Sequence, residues 1–190
     1  MRCIFCKENS SNSKSIEHII PESLGNKIHI LRKGIVCDKC NNYFAGKIEK
    51  VVLEKPYFKN VRYRNFIKTK KGRLVPNKTL FPHKNGGWAN VWLDEEGIIF
   101  DSNDHEIIDL IKDGKINKMI IPLVEQPEEN DYEVSRFLAK FALELLTHRI
   151  QNENEWIEEI VNKVELDPLR NYARYGQGEF WKYHQRRIYS

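Results

Sequence analysis

The chain has 190 residues, of which 41% are hydrophobic and 31% charged, with a formal net charge of +4. That balance is ordinary for a globular protein, and no apolar run approaches the roughly 18–20 residues that a bilayer span needs. The charge is uneven: residues 1–80 hold 18 Lys and Arg against 6 Asp and Glu, and residues 81–190 hold 13 against 21.

The first 14 residues show no apolar periodicity and contain the pair Cys3-Ile4-Phe5-Cys6 and a polar turn, Asn9 to Ser13. Ile16 to Ile20 is a short β-prone run that Pro21 ends, because proline cannot donate to a ladder. A loop follows to Gly34, then a short strand, Ile35-Val36, leading into a second pair, Cys37-Asp38-Lys39-Cys40. From Asn41 to about Leu53, Phe44, Ile48, Val51 and Val52 recur at helical spacing, and Pro56 is expected to close that helix.

Beyond Pro56, the alternation of Val61 to Ile67 reads as a strand with basic side chains on one face. A turn, Lys70 to Arg73, and a return strand from Arg73 are expected next. Trp88 to Leu93 and Gly97 to Phe100 flank Asp94-Glu95-Glu96 as a hairpin, and His105 to Ile111 reads as a short helix stopped near Gly114. Lys118 to Val124 is a further candidate strand. The clearest helix spans Asn130 to Ile150, capped by Asn130 or Asp131. Its expected core stripe is Val134, Phe137, Leu138, Phe141, Leu145 and His148, with Arg136, Lys140, Glu144 and Thr147 outward. A shorter amphipathic helix around Trp156 to Val161 follows, and Trp88, Trp92 and Trp156 are expected in the core.

Thirty residues separate the two Cys-x-x-Cys pairs, and all four cysteines of the chain are used. Paired thiolates of this kind suit a tetrahedral Zn²⁺ with Zn–S distances of about 2.3 Å. Redox dithiols or four free thiols are the alternatives. With no apolar leader at Met1-Arg2-Cys3, a reducing cytoplasmic setting is expected, where cysteine pairs more often hold metal than form disulfides. Four thiolates leave no open coordination position, so such a zinc is structural.

Between the pairs, Glu17-His18 sets a hard oxygen ligand beside a titratable imidazole. Adjacent strand residues face opposite ways, so both reach one site only near a strand end or bulge. Asn41 can offer a neutral oxygen, and an acid with an amide leaves most of a shell to water and phosphate, as Mg²⁺ prefers. A surface Glu-His pair is the plainer alternative. The basic N-terminal part suggests a polyanionic partner, since Lys and Arg contacts to phosphate supply non-specific nucleic-acid affinity, and a solvated basic face is the plainer alternative. His83, His105, His148 and His184 have no partner motif.

Taken in order, Cys3-x-x-Cys6, Ser15-Ile16-Glu17-His18-Ile19-Ile20-Pro21-Glu22-Ser23-Leu24-Gly25 and Val36-Cys37-Asp38-Lys39-Cys40-Asn41-Asn42 closely resemble the HNH endonucleases, ββα-metal nucleases of the zinc-knuckle type. The resemblance covers about residues 1–53. It implies His18 as general base and Glu17 and Asn41 as ligands of a catalytic Mg²⁺ or other divalent metal. Cys3, Cys6, Cys37 and Cys40 would hold the structural Zn²⁺. One position departs: the family's middle Asn falls on Arg32, with Asn26 and His29 as nearby alternatives.

These readings predict an α+β protein: a zinc-stapled ββα-metal module over 1–55 and a mixed α+β C-terminal domain over 56–190. The expected function is metal-dependent hydrolysis of phosphodiester bonds in DNA. A catalytically inactive zinc-containing nucleic-acid-binding or adaptor protein is the alternative, and a zinc-ribbon module for a partner protein is a third. No membrane association is expected, and the acidic C-terminal part is expected to meet a protein partner or a second copy of the chain.

Overall fold

The computed structural model describes residues 1–184 apart from 70, 83, 85, 86, 95, 102–104, 125 and 127. The chain is a mixture of helices and two small antiparallel sheets. It divides into two compact units: Met1–Glu22, Asn26–Lys55 and Gln126–Ser190 form the first, and Ser23–Gly25 with Pro56–Glu125 the second. This differs from the expected division at 55/56. The last third of the chain returns to the N-terminal segment, and ion pairs such as Lys140 with Glu17 hold the two together.

In the first unit, β1 (Glu17–His18) pairs antiparallel with β2 (Ile30–Leu31), with Glu17 opposite Leu31 and His18 opposite Ile30. Asn26 closes the connecting loop. Its amide nitrogen donates to the carbonyls of Ile20 and His29, and its oxygen accepts from the backbone of Ile28 and His29. A helix then runs in three consecutive stretches: α1 (Asp38–Phe44), a π-helical turn (Ala45–Glu49) and α2 (Lys50–Leu53). Cys37 caps its start, its sulfur accepting from the Cys40 N–H. Phe44, Ile48 and Val52 are fully buried on its inner face, the spacing that the sequence pattern predicts.

Among the described residues, three helices complete this unit, α5 (Tyr132–His148), α6 (Asn154–Asn162) and α7 (Asp167–Tyr175), following α3 (Pro56–Arg64) and α4 (His105–Lys112) of the second unit. Asp131 caps α5 by accepting from the Val134 N–H at 3.0 Å. Gly176, at φ +69°, ends α7 in the left-handed conformation that glycine adopts cheaply, and the Tyr132 hydroxyl donates to its carbonyl.

The buried face of α5 is not the expected one. Val134 and Phe137 are buried, but Leu138 and Leu145 are exposed, and Lys140, Glu144 and Thr147 are wholly buried. The helix is apolar over so wide an arc that packing alone does not fix its rotation. Ion pairs to the N-terminal segment decide it. Thr147 donates back to the Leu143 carbonyl, which satisfies its hydroxyl inside.

In the second unit, the segment expected as a strand, Val61 to Ile67, lies mostly in a helix, α3 (Pro56–Arg64). Pro56 falls in the first turn, where its fixed φ suits a helix and its missing N–H costs nothing. Short apolar alternation could not outweigh that start signal. The sheet is β3 (Asn77–Leu80), β4 (Trp88–Asp94) and β5 (Gly97–Asp101), with α4 (His105–Lys112) after it. The β4–β5 hairpin and α4 match expectation. No strand forms at Arg73, and Lys118 to Val124 contributes only a bridge between Leu80 and Ile120. Phe81, Ala89, Val91, Ile107 and Ile116 make this unit's core. Trp88 and Trp156 are more than half exposed rather than buried. Lys70 and His83 lie outside the described residues.

Candidate functional site

The four cysteines converge. Lys7, at φ +61°, turns the first pair back on itself, and its N–H donates to the Cys3 carbonyl. The second pair sits on the first turn of α1. All four sulfurs lie within 4.8 Å of one another, with Cys6 and Cys37 3.6 Å apart. Tetrahedral ligands at about 2.3 Å stand about 3.8 Å from each other, so the four sulfurs fit a zinc ion. Backbone N–H groups already face them: Cys37 donates to the Cys3 sulfur at 3.3 Å and Cys40 to the Cys37 sulfur at 3.4 Å. A hydrogen bond from the Cys40 thiol and the backbone N–H groups of Cys37, Cys6 and Phe5 pull the Cys3 thiol down to about 5, against the effect of burial. Among the described residues, this is the one group of three or more His, Cys, Asp or Glu side chains placed to hold a metal.

Asp38 ties the cysteine pair to the strand that follows the first knuckle. Its Oδ1 accepts from the Ser15 hydroxyl at 2.5 Å, the Ser15 N–H at 2.9 Å and the Lys14 N–H at 3.0 Å. The Ser15 hydroxyl, then these backbone donors, hold its carboxyl below the usual range. Asn41, one turn later, donates its amide to the Ile16 carbonyl at 3.2 Å. The start of α1 is thus fastened to the residues immediately before Glu17-His18.

Glu17 and His18 part company. Glu17 is 6% exposed and faces inward with Leu31, while His18 is half-buried on the other face with Ile30. The Glu17 carboxylate meets Lys140 of α5, Oε1 to Nζ, at 2.7 Å. Glu49 of the π-turn and Glu144 of α5 reach the same ammonium at 2.9 Å each. Burial pushes the Glu17 carboxyl up, which Lys140 opposes; burial pushes Glu144 up further, and its Oε1 has no partner among the described residues. Burial alone would lower Lys140, but the three carboxylates hold it above its ordinary value. The cluster thus favours the charged form of Lys140, and burial favours the protonated form of Glu144.

The Nδ1 atom of His18 is buried with no protein partner among the described residues. None of the three candidates for the middle position meets it in a hydrogen bond. Arg32 binds Gln151 through its N–H and Asn154 through its guanidinium. Asn26 is spent on its loop, and the His29 ring meets the edge of His148 with centroids 5.9 Å apart. Sequence reasoning missed Lys140, Glu49 and Glu144, whose only signal was an i,i+4 Lys–Glu pair that also fits an exposed helix face. Exposed Lys14, Lys27, Lys33, Lys39 and Lys47 give the segment a basic surface.

Residues 3–55 match the family model described as HNH endonuclease. The resemblance read from the cysteine pairs and the Glu17-His18 run is borne out over that stretch, a little over a quarter of the chain. No curated protein and no solved structure matches the chain. Among the described residues, no helix is long and apolar enough to cross a membrane.

Proposed function

We propose that the HNH segment makes this protein a divalent-metal-dependent endonuclease that hydrolyses phosphodiester bonds in DNA. The observation that carries the reading is the fastening of Asn41 to the Ile16 carbonyl, which brings the start of α1 to the strand bearing Glu17 and His18. His18 is the general base: a ring nitrogen takes a proton from water as the water oxygen attacks phosphorus and the bond to the leaving oxygen breaks. As the HNH resemblance implies, Glu17 and Asn41, whose bond to Ile16 uses only its amide nitrogen, would hold the divalent ion. Bound there, that ion would offset charge on the leaving oxygen. Among the described residues no group of three acids, cysteines or histidines is placed to hold a metal there, so water and phosphate would fill its remaining positions, which suits Mg²⁺.

Zinc in the Cys3, Cys6, Cys37 and Cys40 site staples the segment and takes no part in the chemistry. The exposed lysines around β1 and α1 supply the phosphate attraction. Exposed Lys68, Lys71 and Arg73 of the second unit are available for the same purpose, but Arg62 is buried on α3 and is not. The substitution His18→Ala tests the reading: cleavage is lost while zinc content and folding stay intact.

A second reading has its own support. The buried Nδ1 of His18 has no acceptor among the described residues of the kind that orients a general base, and Glu17 is committed to Lys140. Those two features suit a zinc-containing module that binds nucleic acid without cutting it. A gel shift by a chain that never cleaves would favour it.

A further inference from the structure

A zinc ion bound by four thiolates carries a net charge of −2, and a centre of that charge at the edge of a core needs cations. Helix α7, far along the chain from either cysteine pair, supplies contacts to both. Asp167 at its start pairs with Lys7, just after the first knuckle, at 2.6 Å. Arg170, one turn on and 1% exposed, donates through Nε to the Ile4 carbonyl inside that knuckle at 2.7 Å. Arg170 is fully occupied, since it also bonds the carbonyls of Ile160 and Lys163 and the carboxylate of Asp167.

Arg174, one further turn along the same face, differs. It is 7% exposed, and its Nε has no hydrogen-bond partner among the described residues. No carboxylate pairs with it in the ion pairs found among those residues. Its guanidinium carbon stands 3.5 Å from the centre of the Tyr43 ring and 5.2 Å from that of Tyr175. With Cys6, Cys37 and Cys40 it lines a cavity of about 450 Å³ beside the cysteine cluster. A buried guanidinium without a counter-charge is costly, and stacking on tyrosine recovers only part of that cost. The anion it faces is the thiolate cluster.

We propose that Arg174 is the cation that balances the zinc–thiolate centre, held by Tyr43 beside Cys6, Cys37 and Cys40. The inference rests on the reading of the four cysteines as a zinc site. Through Arg174, the C-terminal helix α7 completes a metal centre whose ligands all lie in the first 40 residues. A merely structural arginine would affect unfolding, whereas this one affects how tightly the folded protein keeps its metal.

The test is zinc transfer from the full-length protein to a chromogenic chelator, well below the unfolding midpoint, for wild type, Arg174→Met, Arg174→Gln and Arg174→Lys. Partners around bound ligands typically contribute 10–100-fold to metal affinity, so the neutral variants should lose zinc affinity by about that factor. Arg174→Lys, which keeps the charge without the stacked plane, should fall between them and wild type. A folded neutral variant with wild-type zinc affinity overturns the proposal. Should neither neutral variant fold, wild-type affinity in Arg174→Lys overturns it. A wild-type chain that neither contains nor takes up zinc would instead defeat the zinc reading beneath it.

Discussion

Lys140 places its ammonium 2.7 Å from the carboxylate of Glu17, so the acid beside the candidate general base is held by a helix more than a hundred residues later. Lys140 is the only cation for Glu17, Glu49 and Glu144 among the ion pairs of the described residues, and it is wholly buried. Removing one partner of a buried ion cluster leaves uncompensated charge, which typically costs about 3–5 kcal/mol. Lys140→Met is therefore expected to lower unfolding free energy by about that amount in denaturant titrations. Lys140→Met combined with Glu144→Leu removes one of the three carboxylates left without a cation and should recover part of the loss. Wild-type stability in the single variant would show that the cluster contributes nothing.

The same contacts bear on whether the HNH segment stands alone. Glu17 needs Lys140, the Ile4 carbonyl meets Arg170, and Lys7 meets Asp167. A fragment of residues 1–55 would expose all three, together with the inner faces of Phe44, Ile48 and Val52. It is expected to lack a fixed fold even with zinc present, as read from dispersion in its proton NMR spectrum. A well-dispersed, zinc-loaded fragment would refute this.

Zinc should be inseparable from folding in the N-terminal part. The hairpin has only two residues in each strand, too little to persist unaided. Cys37→Ser removes one ligand and the sulfur that caps α1. It should abolish stoichiometric zinc binding and strip the segment of protection from hydrogen exchange. A zinc-free variant with native protection would contradict the structural role.

Acid should loosen the start of α5. Asp131 is buried; that raises its carboxyl, but the bond from Lys55 and the Val134 N–H outweigh it and hold the group below its ordinary value. A carboxyl lowered on folding adds stability above its unfolded pKa and loses it as pH falls through the folded one. The stability difference between wild type and Asp131→Asn should thus be full at neutral pH. It should shrink below the ordinary carboxylate range, as thermal unfolding across pH would show. A difference independent of pH would mean that the charge is immaterial.

What could be read from the sequence follows a physical divide. The cysteine pairs, the helix behind them, the β4–β5 hairpin and α5 are local patterns, and the structure contains each. Lys140 and Glu144 were misplaced because a charged pair at i,i+4 looks the same whether water or another carboxylate faces it. Only the arrival of Glu17 and Glu49 from elsewhere in the chain turns that face inward. Val61 to Ile67 failed for a nearby reason: alternation over seven residues is weaker than the helix start at Pro56. Arg32, on which the family's middle Asn falls, turns to Gln151 and Asn154 instead, a pairing that no local pattern announces.

The most direct measurement is supercoiled-plasmid cleavage by the purified full-length chain, wild type beside His18→Ala, with magnesium, manganese or EDTA. The account predicts nicked or linear DNA from wild type with metal, none with EDTA, and a loss of at least about 100-fold in the variant. Cleavage by His18→Ala at the wild-type rate would contradict the assignment of the base. Absence of cleavage by wild type under every metal, with retained DNA binding, would leave a nucleic-acid-binding module in place of an enzyme.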